Sequence, residues 1–157
     1  MSNPGNIELV SYQDRYAKAA VRMWRDSKEK SIGVKESHTF EDHLEFLKKI
    51  LVKDNSIHLA VLPDKDKVVG ILATDNEYIN QLYIHNDYQR MGIGSRLLAL
   101  AKANSHGKLR LFTFEANLGA RAFYEQQGFR IMERGNDNEE GLPDLLYEWR
   151  DNSHCGT

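Results

Sequence analysis

Cysteine, proline and a surplus of either charge are what this chain lacks. Of its 157 residues one is cysteine, Cys155, and three are proline. A lone thiol excludes an intrachain disulfide, so a disulfide-stapled secreted scaffold is ruled out and a reducing, cytoplasmic location is expected. His154 beside Cys155 is too small a set for zinc, which takes three or four ligands, and His38 and His43 miss the i, i+4 spacing of a helical metal pair. No metal is expected. Scarce proline, with 41 % apolar and 28 % charged residues, excludes low-complexity disorder and a fibrous repeat. Twenty-one Lys and Arg against 23 Asp and Glu leave a formal charge of −2. That balance argues against a protein whose affinity comes from neutralising phosphates, so no nucleic-acid partner is expected. No apolar stretch approaches the roughly 20 residues of a bilayer span, and residues 1 to 6 lack the basic-then-apolar pattern of a leader. No membrane partner is expected.

What is present fits one domain over residues 1–157, long enough to bury roughly 70 % of its unfolded surface. Ile7 to Val10 reads as an edge strand. Ala17, Ala20, Val21 and Trp24 recur at i, i+3, i+4, i+7, a helical stripe that Gly33 ends. Thr39, with Glu41 and Asp42 behind it, opens a second helix whose broad apolar face holds Leu44, Phe46, Leu47, Ile50 and Leu51. Ile57, Leu59 and Val61 alternate as a strand does, and 63–66 turns the chain back into 68–73, a hairpin in which Gly70 marks a bulge or a close backbone approach. Strand 78–84, a glycine loop, a helix from Gly94 and strand 109–114 then form a right-handed parallel crossover. The last of these is apolar on both faces, which predicts a central strand. Asn117 caps the next helix and Gly128 ends it, with Phe129 folding back on Phe123 or Tyr124. Strands 129–132 and 145–149 flank a polar loop, 135–141. The class is mixed α/β, with about six to seven strands in a central sheet and helices on its flanks.

The informative segment is Asp87-Tyr88-Gln89-Arg90-Met91-Gly92-Ile93-Gly94-Ser95. A helix start has unpaired N–H groups and a partial positive charge, and glycines there let phosphate oxygens reach the backbone. The amides of Met91, Gly92, Ile93, Gly94 and Ser95 can converge on one or two phosphates, with Arg90 adding a charge and Ser95 a hydroxyl. Gly-Lys-Ser/Thr is absent, and Leu97 stands where the dinucleotide fingerprint needs its third glycine, so neither known phosphate loop applies. Read alone, two glycines at a helix start serve equally as a tight turn.

Gln89-Arg90-Met91-Gly92-Ile93-Gly94 resembles the Gln/Arg-x-x-Gly-x-Gly/Ala signature of the GNAT superfamily of acyl-CoA-dependent N-acetyltransferases. Asn117 to Phe129, with its Asn, Ala, Phe123-Tyr124 pair and Gly128-Phe129, resembles that superfamily's second motif. The two cover a coenzyme-binding core over about 78–131. The resemblance implies a GNAT-like acyl-CoA N-acyltransferase fold with acetyl-CoA as co-substrate. It implies pairing of the pantetheine arm with the backbone of Leu82, Tyr83 and Ile84, a pyrophosphate on the amides from Gln89 to Ser95, and coenzyme contacts from Asn117 and Phe123. Asn117 as a plain helix cap is compatible with such a contact. Tyr124 falls where the superfamily assigns the proton donor to the departing thiolate; the competing reading is that it only packs. Many relatives pair, which leaves a homodimer open.

The implied reaction moves an acetyl group from acetyl-CoA to a primary amine by direct attack in a ternary complex. A non-catalytic acyl-CoA-binding or sensing module is the alternative. A phenol with a pKa of about 10 stays protonated at neutral pH and can donate as sulfur leaves. An alkylamine is only about 0.1 % neutral at pH 7, so a base should assist. Glu115, just before Asn117, is the first candidate, followed by Glu77, His85 and Asp144. The acceptor, a small-molecule or peptide amine, would sit against the first two helices and the loop before the last strand. Trp24, His38 and Phe40 could line that side, and Asp137, Glu139, Glu140 and Asp144 could attract a cation; Trp24 reads equally as core and the acidic run as a solvated loop.

Overall fold

A computed structural model describes residues 6–33 and 35–151. His154 and Cys155 lie outside the described residues, as do Met1 to Gly5. Strand β1 (Glu8–Ser11) is followed by helix α1 (Ala17–Ile32) and helix α2 (Phe40–Phe46), which runs on through a wide turn, Leu47–Leu51, to Val52–Asp54. The hairpin β2 (Ser56–Leu62) and β3 (Lys67–Thr74) comes next, then β4 (Ile79–Ile84), α3 (Ile93–Ala103), β5 (Lys108–Phe114), α4 (Leu118–Gln126), β6 (Arg130–Gly135) and β7 (Asp144–Arg150). The mixed α/β architecture read from the sequence is the one observed.

Local chemistry sets the helix ends. The apolar stripe of α1 is buried, and Gly33, at φ +68°, sends its N–H back to the Glu29 carbonyl at 2.9 Å. Thr39 Oγ1 caps α2 by accepting from Asp42 N–H at 3.1 Å. The α2 segment departs from the single apolar face expected of it. Across a π-type turn, Leu47–Leu51, the residues Leu47 and Leu51 point inward together while Phe46 and Ile50 are exposed.

Seven strands form two antiparallel sheets, β1-β2-β3-β4 and β5-β7-β6. They meet at one parallel bridge, Tyr78 to Arg110, where Arg110 N–H donates to the Glu77 carbonyl at 2.9 Å. Beyond it the outer edge of β4 and the facing edge of β5 pair with no described strand. This split corrects the expectation that β5 is buried on both faces. Leu109 and Leu111 point into the core, but Phe112 is 59 % exposed, its ring parallel to that of Tyr78 at 6.1 Å.

Helices cover both faces of the four-stranded sheet. Val21, Trp24 and Leu47 pack with Leu59 and Ile71 on one side. On the other, Ile93, Leu97 and Leu98 pack with Ala60 and Leu72, and this core continues to Leu109, Leu145 and Tyr147 of the second sheet. Gly70 answers both of its readings. The β2–β3 register shifts beside it, and a Cβ there would lie 3.1 Å from Leu97 Cδ1 and 3.2 Å from Ala60 Cβ. Helix α3 is thereby drawn down onto the sheet, which fixes where its N-terminus opens.

Candidate active site

That N-terminus opens beside the end of β4. Arg90 and Gly92 both take left-handed backbone, φ 66° and 83°, and turn the chain sharply into α3. Arg96 N–H donates to the Gly92 carbonyl at 3.0 Å; the N–H groups ahead of it, at Ile93, Gly94 and Ser95, form the open first turn. A Cβ at Gly92 would meet nothing within 4 Å, so the approach to these amides is clear, whereas one at Gly94 would lie 3.3 Å from Phe123 Cζ. Ser95 Oγ accepts from Gln127 Nε2 at 3.3 Å. Gln89 reaches back to the Ile84 carbonyl at 3.3 Å, and Met91 packs against the core. The geometry suits an anion on the helix tip, and on the outer edge of β4 the backbone groups of Leu82 and Ile84 face no described strand, whereas those of Tyr83 face Ile71 of β3. The Ile84 carbonyl is already engaged, since Ser27 Oγ also donates to it at 3.0 Å.

Helix α4 closes the other side. Asn117 Oδ1 accepts from Ala120 N–H at 3.1 Å, the cap its sequence position suggested. Gly128, at φ +93°, turns the chain so that Phe129 packs on Tyr124 with ring centroids 5.5 Å apart. Phe123 lies 5.3 Å from the same ring. Tyr124 is 7 % exposed, yet its hydroxyl donates to no described residue. Burial, reinforced by Tyr83, holds its pKa well above the usual phenol value, so it is protonated throughout the physiological range.

Across β4 lies a cavity of about 310 Å³, lined by Trp24, Lys28, Glu36, His38, Asp42, His43, Phe46, Gln81 and Glu139. The Trp24 ring stacks on Tyr83 at 6.2 Å, which joins this cavity to the strand edge. Trp24 therefore takes both of its readings, buried in the core and lining a cavity. Two of the four acidic residues singled out in the sequence arrive here on the β6–β7 loop: Glu139 pairs with His38 Nε2 at 3.1 Å and Glu140 with Lys28 Nζ at 3.1 Å. Asp144 instead accepts from Asn138 at 3.0 Å, and Phe40 lies under the Arg22 guanidinium. Lys28, Glu36, His43 and Gln81 were not legible as a set because they come from α1, the loop after it, α2 and β4.

Glu115 stands apart from this cavity's lining. Its carboxylate accepts from Arg134 Nη1 at 2.9 Å, and the side chain is substantially exposed. His85 Nδ1 accepts from Asp87 N–H at 3.1 Å.

His43 is 7 % exposed, edge-on to Trp24 at 4.1 Å, and burial pushes its pKa down to about 4. The imidazole of an unfolded chain, near 6.5, binds a proton that the folded one refuses. Stability contributed by the neutral ring is therefore complete above about pH 6.5 and is lost as pH falls toward 4, on the order of 3 kcal/mol in full. Urea unfolding at pH 7 and pH 4.5 should show a larger acid loss in the wild type than in His43→Gln. Equal losses would assign the acid sensitivity to other groups.

Residues 23–150 match the acetyltransferase (GNAT) domain family, and the chain belongs to it. A peptidyl-lysine N-acetyltransferase of Salmonella typhimurium, YjaB, is 29 % identical over 107 residues, which is 68 % of this chain and 72 % of that protein. The solution structure of apo-form YjaB from Escherichia coli superposes with a TM-score of 0.74 at 19 % identity, covering 92 % of this chain and 98 % of that one. The PaiA N-acetyltransferase of Thermoplasma acidophilum in complex with coenzyme A gives 0.71 at 19 % identity, covering 96 % and 99 %. The protein is a GNAT acetyltransferase. No helix among the described residues is long and apolar enough to cross a membrane.

Proposed function

We propose that residues 1–157 act as one domain that transfers an acetyl group from acetyl-CoA to a primary amine, by direct attack within a ternary complex. The observation that carries this reading is Tyr124, a buried residue whose phenol is held protonated and whose hydroxyl bonds to no described residue. In this reading the amides from Gln89 to Ser95 hold the pyrophosphate, with Arg90, Met91, Gly92, Ile93 and Gly94 shaping the turn. The backbone of Leu82 and Ile84, on either side of Tyr83, aligns the pantetheine arm, and Asn117 and Phe123 border it. The amine enters from the cavity beside Trp24. As the new C–N bond forms, the C–S bond breaks and Tyr124 gives its proton to the leaving sulfur. The ammonium proton must leave first. Glu115, the sequence's first candidate, would have to give up Arg134 to take it; Glu36 lines the cavity itself, and would have to give up Lys28 at 3.5 Å. The activity of the YjaB relative, acetylation of peptidyl-lysine, adds a peptide-borne lysine to the small amines as acceptor.

The test is thermal unfolding with acetyl-CoA, followed by thiol release with a panel of amines. Coenzyme at a hundred times its Kd should stabilise the protein by about 2.7 kcal/mol, an upward shift of about 5–10 °C. No shift at millimolar coenzyme would overturn the proposal. A shift without thiol release on any amine would favour the non-catalytic acyl-CoA-binding module.

A further inference from the structure

Buried polar atoms nearly always find a hydrogen-bond partner, and each exception asks for a reason. Six side-chain N or O atoms are buried and make no hydrogen bond among the described residues; three of them, Trp24 Nε1, Glu36 Oε2 and His43 Nδ1, belong to residues lining a cavity beside Tyr83, and of these Glu36 Oε2 has an ion-pair contact, Lys28 Nζ at 3.5 Å. Trp24 is 3 % exposed, and the Glu36 side chain also 3 %. These groups are chemically unlike one another. An indole N–H only donates, a carboxylate only accepts, and a neutral imidazole does either according to its tautomer. A plain alkylammonium satisfies Glu36 and leaves the indole unanswered.

The charges of the cavity narrow the choice. Its Lys28 is already paired, with Glu36 at 3.5 Å and Glu140 at 3.1 Å, and His38, a cation only when protonated, is held by Glu139 at 3.1 Å. Arg25, nearby, donates to the His38 carbonyl at 2.7 Å. Asp42 adds a further carboxylate to the lining. A carboxylate on the ligand would therefore meet acids rather than a free cation. We propose that Trp24, Glu36 and His43 are the acceptor-recognition set of this enzyme, and that they select an amine which also carries an uncharged hydrogen-bond acceptor, a hydroxyl or a carboxamide oxygen. Glu36 takes the ammonium, the Trp24 N–H takes the oxygen, and His43 completes whichever pairing remains. The cavity of about 310 Å³ has the volume of about ten waters, room for a compact molecule of this kind. This inference rests on the acetyl-transfer reading, in which the cavity is the acceptor side.

Three amines sharing one skeleton test it: 3-methylbutylamine, leucinamide and leucine, which place hydrogen, a carboxamide and a carboxylate at one position. The readout is kcat/KM by thiol release at saturating acetyl-CoA, in the wild type, Trp24→Phe and Glu36→Gln. Comparing variants on the same amines cancels their different intrinsic basicity. The wild type should favour leucinamide over the other two by about tenfold or more, and Trp24→Phe should erase about tenfold of its preference over 3-methylbutylamine. Glu36→Gln, of nearly unchanged shape, should raise KM for leucinamide and 3-methylbutylamine alike by about tenfold, with KM for acetyl-CoA unmoved. An unchanged preference in Trp24→Phe, leucine used as well as leucinamide, or an unmoved amine KM in Glu36→Gln would overturn the assignment, and the last stands even if Trp24→Phe does not fold. Should acetyl-CoA bind and no amine react, the transfer reading falls. The recognition set is then judged by thermal shifts of coenzyme-loaded protein, where leucinamide and 3-methylbutylamine giving equal shifts overturns it.

Discussion

Tyr124→Phe should lower kcat with acetyl-CoA by about a hundredfold or more while KM for the coenzyme stays within a factor of two. A positioned proton donor contributes about 10²–10⁴-fold. The substitution removes one oxygen that pairs with no described residue and keeps the ring that packs between Phe123 and Phe129. The fold should therefore be spared, and thermal unfolding of the two proteins should agree within a few degrees. Because burial keeps the phenol neutral, its proton is available at every pH at which the amine is reactive. Steady-state kinetics by thiol release decide the matter: turnover undiminished by the loss of the hydroxyl would reduce Tyr124 to a packing residue.

The second large effect is expected at the helix tip. Gly94→Val should raise KM for acetyl-CoA by about a hundredfold, against a much smaller change from Gly94→Ala. A Cβ at this position lies 3.3 Å from Phe123 Cζ and 3.8 Å from Ile84 Cγ1, so one methyl asks Phe123 to yield a few tenths of an ångström. Two further methyls force α3 and α4 apart or cover the open amides, with a packing cost of about 1–3 kcal/mol. Titration calorimetry separates the two outcomes, since a folded variant with undiminished coenzyme affinity would remove the pyrophosphate from this helix start.

Much of this was legible along the chain because it is local. The stripe from Ala17 to Trp24, the Gly33 stop, the Thr39 and Asn117 caps and the strand-loop-helix around Gly92 each depend on a few neighbouring residues. What escaped depends on partners far off in sequence. Leu47 and Leu51 are four apart, a spacing that an α-turn and a π-turn share, so nothing in the residues announced the wider one. Phe112 looked like core because β5 alternates large apolar groups, and only the missing neighbour on one edge exposes it. Arg134 lies nineteen residues beyond Glu115, on another strand, and no pattern signals that pair. The cavity is harder still, since Glu36 sits in a loop without periodicity and gains its meaning from Lys28 and Trp24.

The single rung at Tyr78 and Arg110 has a mechanical consequence. Each ladder is complete without the other, so the gap between β4 and β5 can widen or narrow, pivoting about that rung, and no hydrogen bond inside either sheet need break. The shared apolar layer under α3 and α4 resists the movement, as do the pairs of Glu139 with His38 and Glu140 with Lys28, and side-chain contacts deform more softly than a backbone ladder. The molecule is thus hinged like a book at one stitch, stiff in each leaf and compliant at the spine.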